Sequence, residues 1–99
     1  YIISWKINME LNIAENKQEL FIKTSMWNSI IVVFNNEKNI DITSYLVSIQ
    51  IRWKTILVKT NKPIINIEAL ILDDKIKKTF SVKLKKLWIK FYDFELRYI

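Results

Sequence analysis

Across its 99 residues the chain contains no glycine, and this absence limits its backbone more sharply than any residue it does contain. Glycine enters positive φ without steric cost and lets a backbone approach a ligand closely. A chain without it has no phosphate-cradling P-loop, no dinucleotide-binding turn, no nucleophile elbow and no EF-hand loop. Turns fall to Asn, which tolerates left-handed geometry better than the other residues present. Asn35-Asn36 reads as such a turn, and Thr60-Asn61-Lys62-Pro63, which holds the only proline, reads as the strongest break in the chain.

The chain also lacks Cys and His. That removes Cys/His zinc sites, thiol nucleophiles, histidine-based triads, disulfides and haem held by either residue. No motif implies a cofactor, and a metal would have to be a hard cation on carboxylates. Asp73-Asp74 with Glu95-Leu96-Arg97 loosely follows the acid pattern of metal-dependent nucleases. The usual basic residue there is Lys, and the Arg found here does not give up a proton. No pair among Asp41, Glu68 and Asp93 stands out as a glycosidase pair, so neither an enzymatic activity nor a small-molecule substrate is expected. The longest apolar run, Ile30 to Phe34, falls far short of the ~20 residues of a membrane span. The compartment is left open, and the start at Tyr1 rather than Met is consistent with a fragment of a longer protein.

Hydrophobic residues make up 51% of the chain and charged ones 26%, enough apolar surface for one folded domain, 1–99. The odd positions from Tyr1 to Ile13 are apolar, as are most from Tyr45 to Leu57, with polar residues between, which is the period of a half-buried strand. Leu20 to Thr24 and Ile30 to Phe34 read as further strands. Ile64 to Leu72 can be drawn as a helix with Pro63 at its first position and Asn61 as cap, or as a strand; its β-branched residues favour the strand. Phe80, Val82 and Leu84 alternate with Ser81, Lys83 and Lys85. Two later phase slips, to Leu87, Ile89 and Phe91 and then to Tyr92, Phe94, Leu96 and Tyr98, suggest bulges or corners. The pattern predicts an all-β fold, a single-domain antiparallel β-sandwich or small curled barrel of about seven strands.

Charge is unevenly placed. Residues 1–49 carry four Lys and five acids, net −1, whereas residues 50–99 carry twelve Lys or Arg and five acids, net +7. Ile, Lys and Asn together supply 42 residues, the bias of an A+T-rich coding sequence, which weakens any argument from lysine number alone. Lys83, Lys85, Lys86, Trp88 and Lys90 nonetheless form a candidate interface for single-stranded nucleic acid, with lysines tracking phosphates and the indole stacking a base. The competing account is an edge strand protected from aggregation by its lysines.

Asp41-Ile42-Thr43-Ser44-Tyr45-Leu46-Val47-Ser48-Ile49 resembles a short run at strand starts in β domains of phage tail and baseplate proteins. It covers nine residues of 99, carries no functional residue with it, and implies a viral or phage structural part. The leading expectation is a non-enzymatic protein-interaction or assembly module, with a protein partner or self-assembly. The alternative is a nucleic-acid-binding barrel using the lysine and aromatic face.

Overall fold

The computed structural model describes residues 11–91 and 93–99. Helix α1 (Leu11–Lys38) has 28 residues, and at 1.5 Å per residue it runs about 42 Å, close to the 45 Å long axis of the molecule. Its buried face is written at helical spacing by Ile22, Met26, Ile30 and Val33, with Ser25 and Ser29 between them. The Ser29 hydroxyl donates to the Ser25 carbonyl at 2.6 Å, which satisfies a fully buried polar group inside its own helix. The strands expected at Leu20 to Thr24 and Ile30 to Phe34 are both part of this helix. Each short apolar run is ambiguous alone, and only the four-residue recurrence Ile22, Met26, Ile30, Phe34 separates helix from strand. The strand expected over residues 1–13 lies outside the described residues except for its last three, which are helical.

Asn39 ends α1 with φ 54, a left-handed residue donating its N–H to the Asn35 carbonyl at 3.0 Å. A short 3₁₀ turn (Thr43–Tyr45) follows. The Asp41 carboxylate accepts from both the backbone N–H and the hydroxyl of Thr43, and these bonds hold its pKa below the usual carboxylate value.

The single long strand expected from Tyr45 to Leu57 is a hairpin, β1 (Leu46–Arg52) and β2 (Thr55–Thr60), turning at Trp53-Lys54. Arg52 pairs with Thr55, Ile51 with Ile56 and Ile49 with Val58. Each pair joins an odd position to an even one, so the inward face passes from odd residues in β1 to even residues in β2. The loss of alternation at Ile56-Leu57-Val58 is the mark of that turn.

Helix α2 (Pro63–Ile71) places Pro63 in its first turn, where the missing N–H is not needed. The strand reading of this segment fails because Ile65, Ala69 and Leu72 give it a buried stripe at helical spacing. Asn61 does not cap it; the Asn61 amide donates to the Ser44 carbonyl at 3.3 Å. Helix α3 (Asp73–Lys86) buries Ile76, Phe80 and Leu84, each four residues from the last, and carries Asp73 and Asp74 in its first turn and Lys83, Lys85 and Lys86 in its last. That arrangement matches the helix dipole at both ends. Strand β3 (Glu95–Tyr98) then pairs parallel to β2, giving the mixed order β1-β2-β3.

The helices cover one face of this sheet. Ile49, Ile56 and Val58 meet Phe34, Ile76 and Phe80 in the core. Phe80 stands edge-on to Phe94 at 5.1 Å and to Phe91 at 6.5 Å. The Tyr98 hydroxyl donates to Asp73 Oδ1 at 3.0 Å. Burial, with the Asp73 charge beside it, pushes the Tyr98 phenol far above its ordinary pKa. The described chain is therefore α/β, with three helices and a three-stranded sheet, and the all-β sandwich or barrel is overturned. None of the described helices is long and apolar enough to cross a membrane.

Candidate nucleic-acid interface

Lys83, Lys85 and Lys86 lie on the last turn of α3, and Trp88 and Lys90 on the link that follows. They do not alternate along a strand, so both the barrel-groove and the protected-edge accounts of them fail. Their placement follows from the way α3 ends. Trp88 donates its N–H to the Lys85 carbonyl at 3.1 Å and Ile89 donates to the Leu84 carbonyl at 3.0 Å, with Trp88 at φ 58. These are the two bonds of a Schellman stop, completed by the buried pair Leu84 and Ile89. The left-handed position of that motif usually holds Gly; here Trp88 occupies it, 77% exposed.

The hairpin repeats the anomaly. Trp53, at φ 57, is the first central residue of a two-residue turn, and Lys54 is not in the positive region. This is the sign pattern of a type II′ turn, whose first position also calls for Gly. Trp53 is 97% exposed, and its neighbours Arg52 and Lys54 are exposed as well. The remaining described residues at positive φ are Asn39 and Asp93, types that visit that region readily. The two tryptophans do so against a steric penalty of roughly 1–2 kcal/mol each.

Both indoles belong to one end of the molecule. Glu95 pairs with Thr55 and donates its N–H to the Lys54 carbonyl at 2.8 Å, so β3 begins beside the hairpin tip. Phe94, one residue earlier, packs on Phe80, whereas Tyr98 at the other end of β3 reaches Asp73. Helix α3 thus runs antiparallel to β3 and carries its lysines toward the hairpin tip, with Lys86 about 9 Å beyond Phe80 along the helix. Helix α1 runs antiparallel to α3, since Glu37 pairs with Lys75 at 2.6 Å near the opposite end.

The lysines of the helix and its exit differ in what they contact. Lys75 pairs with Glu37 and Lys77 with Asp73, and both serve the fold. Among the described residues no carboxylate stands within ion-pairing distance of Lys83, Lys85, Lys86 or Lys90, nor of Arg52 or Lys54 on the hairpin. Of the acids at this end, Glu95 is paired with Arg97. The same end holds an open groove of about 370 Å³ between α1 and α3, lined by Phe21, Thr24, Ser25, Asn28, Lys83, Lys86 and Leu87.

The sequence reading found the α3 half of this constellation and missed Arg52, Trp53 and Lys54. Their signal was a tryptophan between two cations, three residues before the expected strand lost its alternation at Ile56-Leu57-Val58. The nuclease-like acids are not brought together: Asp73 sits beside Tyr98, and Glu95 begins the strand three residues earlier, about 10 Å away. Among the described residues no cluster of three acids stands ready to hold a metal ion. A scan of family models, a search of curated proteins and a search of solved structures each find no match to this chain.

Proposed function

We propose that this chain is a non-catalytic module that binds single-stranded nucleic acid across its basic, tryptophan-bearing end. Trp53 and Trp88 stack bases, while Arg52, Lys54, Lys85, Lys86 and Lys90 face phosphates. The observation that carries the reading is the pair of exposed indoles, each at positive φ among cations that have no carboxylate partner among the described residues. Strain and solvent exposure of a large aromatic are both unfavourable, and their coincidence at two positions on one surface supports a stacking role. Single strands are favoured over duplex because a stacked base on each indole must be unpaired.

Fluorescence titration with single-stranded oligonucleotide at two salt concentrations tests this. Saturable quenching is expected, with log K falling against log salt at a slope of about −3.5 if five phosphates are neutralised. A flat titration at low salt refutes the reading, as does unchanged affinity in both Trp53→Ala and Trp88→Ala.

A second reading, protein interaction or assembly, is favoured by α2. Ile64, Ile67, Leu70 and Ile71 are all more than half exposed on a nine-residue helix whose opposite face is buried. A helix whose inner and outer faces are both apolar calls for cover on the outer one. Sedimentation showing a monomer over a wide concentration range, with no protein partner retained by α2, counts against it.

A further inference from the structure

The groove between α1 and α3 has the makings of a subsite and not merely a seam. Phe21, Thr24, Ser25 and Asn28 fall at i, i+3, i+4 and i+7 of α1, so they form one stripe. Lys83, Lys86 and Leu87 form the facing stripe of α3. Its lining is mainly apolar, with Phe21 48% and Leu87 46% exposed; Thr24 and Asn28 add exposed polar groups, and Ser25 lies buried beneath them. Two ammonium groups one helical turn apart stand over it with no carboxylate partner among the described residues. At about 370 Å³ its volume falls within the range of small-ligand sites. Leu87 and Lys86 lead directly into Trp88, so the groove continues the surface described above.

We infer that this groove is a mononucleotide subsite, in which a base lies against Phe21, the Asn28 carboxamide meets the base edge, and Lys83 and Lys86 hold the adjoining phosphate. An aromatic wall, a carboxamide and paired ammonium groups are the three contacts by which an unpaired nucleotide is gripped and read. The inference rests on the nucleic-acid reading and adds to it a base preference, which Trp53 and Trp88 do not supply, since stacking alone tolerates every base. The same chemistry is offered by one unit of a strand and by a free nucleoside monophosphate.

The test is binding of fluorescein-labelled homopolymeric deoxyoligonucleotides to the full chain and to Phe21→Ala, Phe21→Leu, Asn28→Ala and Trp53→Ala, with circular dichroism confirming each fold. The wild type is expected to prefer one homopolymer. Asn28→Ala should erase that preference with less than about a three-fold loss of overall affinity, and Phe21→Ala should weaken binding roughly ten-fold. Phe21→Leu keeps the apolar wall but not the ring, so it should bind as weakly as Phe21→Ala and serves where the alanine variant is unfolded. Adenosine monophosphate that displaces the strand in a Phe21-dependent way assigns the groove to free nucleotides as well; failure to displace assigns it to strands. If Phe21 and Asn28 variants match wild type while Trp53→Ala binds weakly, the subsite is overturned and the larger reading stands. If all variants match wild type, both fall. Equal displacement by polyglutamate and by oligonucleotide overturns the subsite too, because the groove then takes any acidic chain.

Discussion

Replacing Trp53 by Gly separates stability from binding. The indole is 97% exposed, so its removal uncovers none of the core. The backbone at φ 57 disfavours any residue with a Cβ by about 1–2 kcal/mol, which Gly does not experience. Against that stands the greater freedom of Gly in the unfolded chain, worth roughly 0.5–1 kcal/mol. The balance is a stabilisation between zero and about 1.5 kcal/mol, with a midpoint rise of some 4–8 °C per kcal/mol for a chain of this size. Binding should move the other way, losing about 1–3 kcal/mol with the stacked base. Trp53→Ala is the companion: it keeps the backbone penalty, so its stability should match the parent while its binding falls as far. Urea unfolding followed by far-UV circular dichroism reads the first quantity, and anisotropy of a labelled oligonucleotide reads the second. A Trp53→Gly protein destabilised by 1 kcal/mol or more would show that the indole packs against the fold, and the argument from exposure would be wrong. Unchanged binding in both variants would show that the hairpin tip plays no part.

Phe80→Ala should cost about 3–5 kcal/mol in urea unfolding, because it empties a fully buried position and abandons Phe91 and Phe94; a loss below 1 kcal/mol would contradict that packing. Tyr98→Phe removes a hydrogen bond to the Asp73 carboxylate and should cost about 1.5–3 kcal/mol near neutral pH. The Tyr98 phenol is raised above its ordinary value of 10.0, so the stability it contributes is fully present below that pH and is lost as pH rises past it. Alkaline unfolding should therefore be less steep in Tyr98→Phe, and an identical pH profile for both proteins would refute the assignment. Ile67→Lys, on the exposed face of α2, should leave stability within about 0.5 kcal/mol while abolishing any concentration-dependent association seen by light scattering; a large destabilisation would mean that the face is covered within the fold.

The inward phase of Ile49 and Ile51 and of Phe94, Leu96 and Tyr98 was legible in alternate residues, whereas a register shift between Leu46 and Ser48 buries Leu46 and leaves Val47 half exposed, against the odd-position reading. The helices were not legible, for a reason specific to this composition. Isoleucine is so frequent that almost any window contains an alternating set, and β-branched residues argued for strand in segments where packing imposed helix. In α2 the buried stripe is Ile65, Ala69 and Leu72, but Ile64, Ile67 and Ile71 obscure it with equally apolar residues on the outer face. Leading into and along α3 the recurrence of Leu72, Ile76, Phe80 and Leu84 was the readable signal, hidden by the accidental alternation over residues 80–85. Half of the candidate interface was found through lysine density. The hairpin half was hidden because a turn carrying Trp, and neither Gly nor Asn, gives no conventional turn signal.

The charge order along α3 bears on how fast a ligand arrives as well as on how tightly it stays. The first six residues of α3 set Asp73 and Asp74 against Lys75, Lys77 and Lys78, net +1, whereas the last turn carries Lys83, Lys85 and Lys86, net +3, a lasting electrical gradient within a molecule whose net charge is +6. In the field of a polyanion such a body turns before it touches, and productive collisions are those that lead with Lys83, Lys85 and Lys86. Reversing the order at constant net charge, with lysines exchanged for Asp73 and Asp74 and aspartates for Lys85 and Lys86, would misdirect encounters that remain just as frequent. Association rates, measured by stopped flow and falling with ionic strength, are where that asymmetry would be seen.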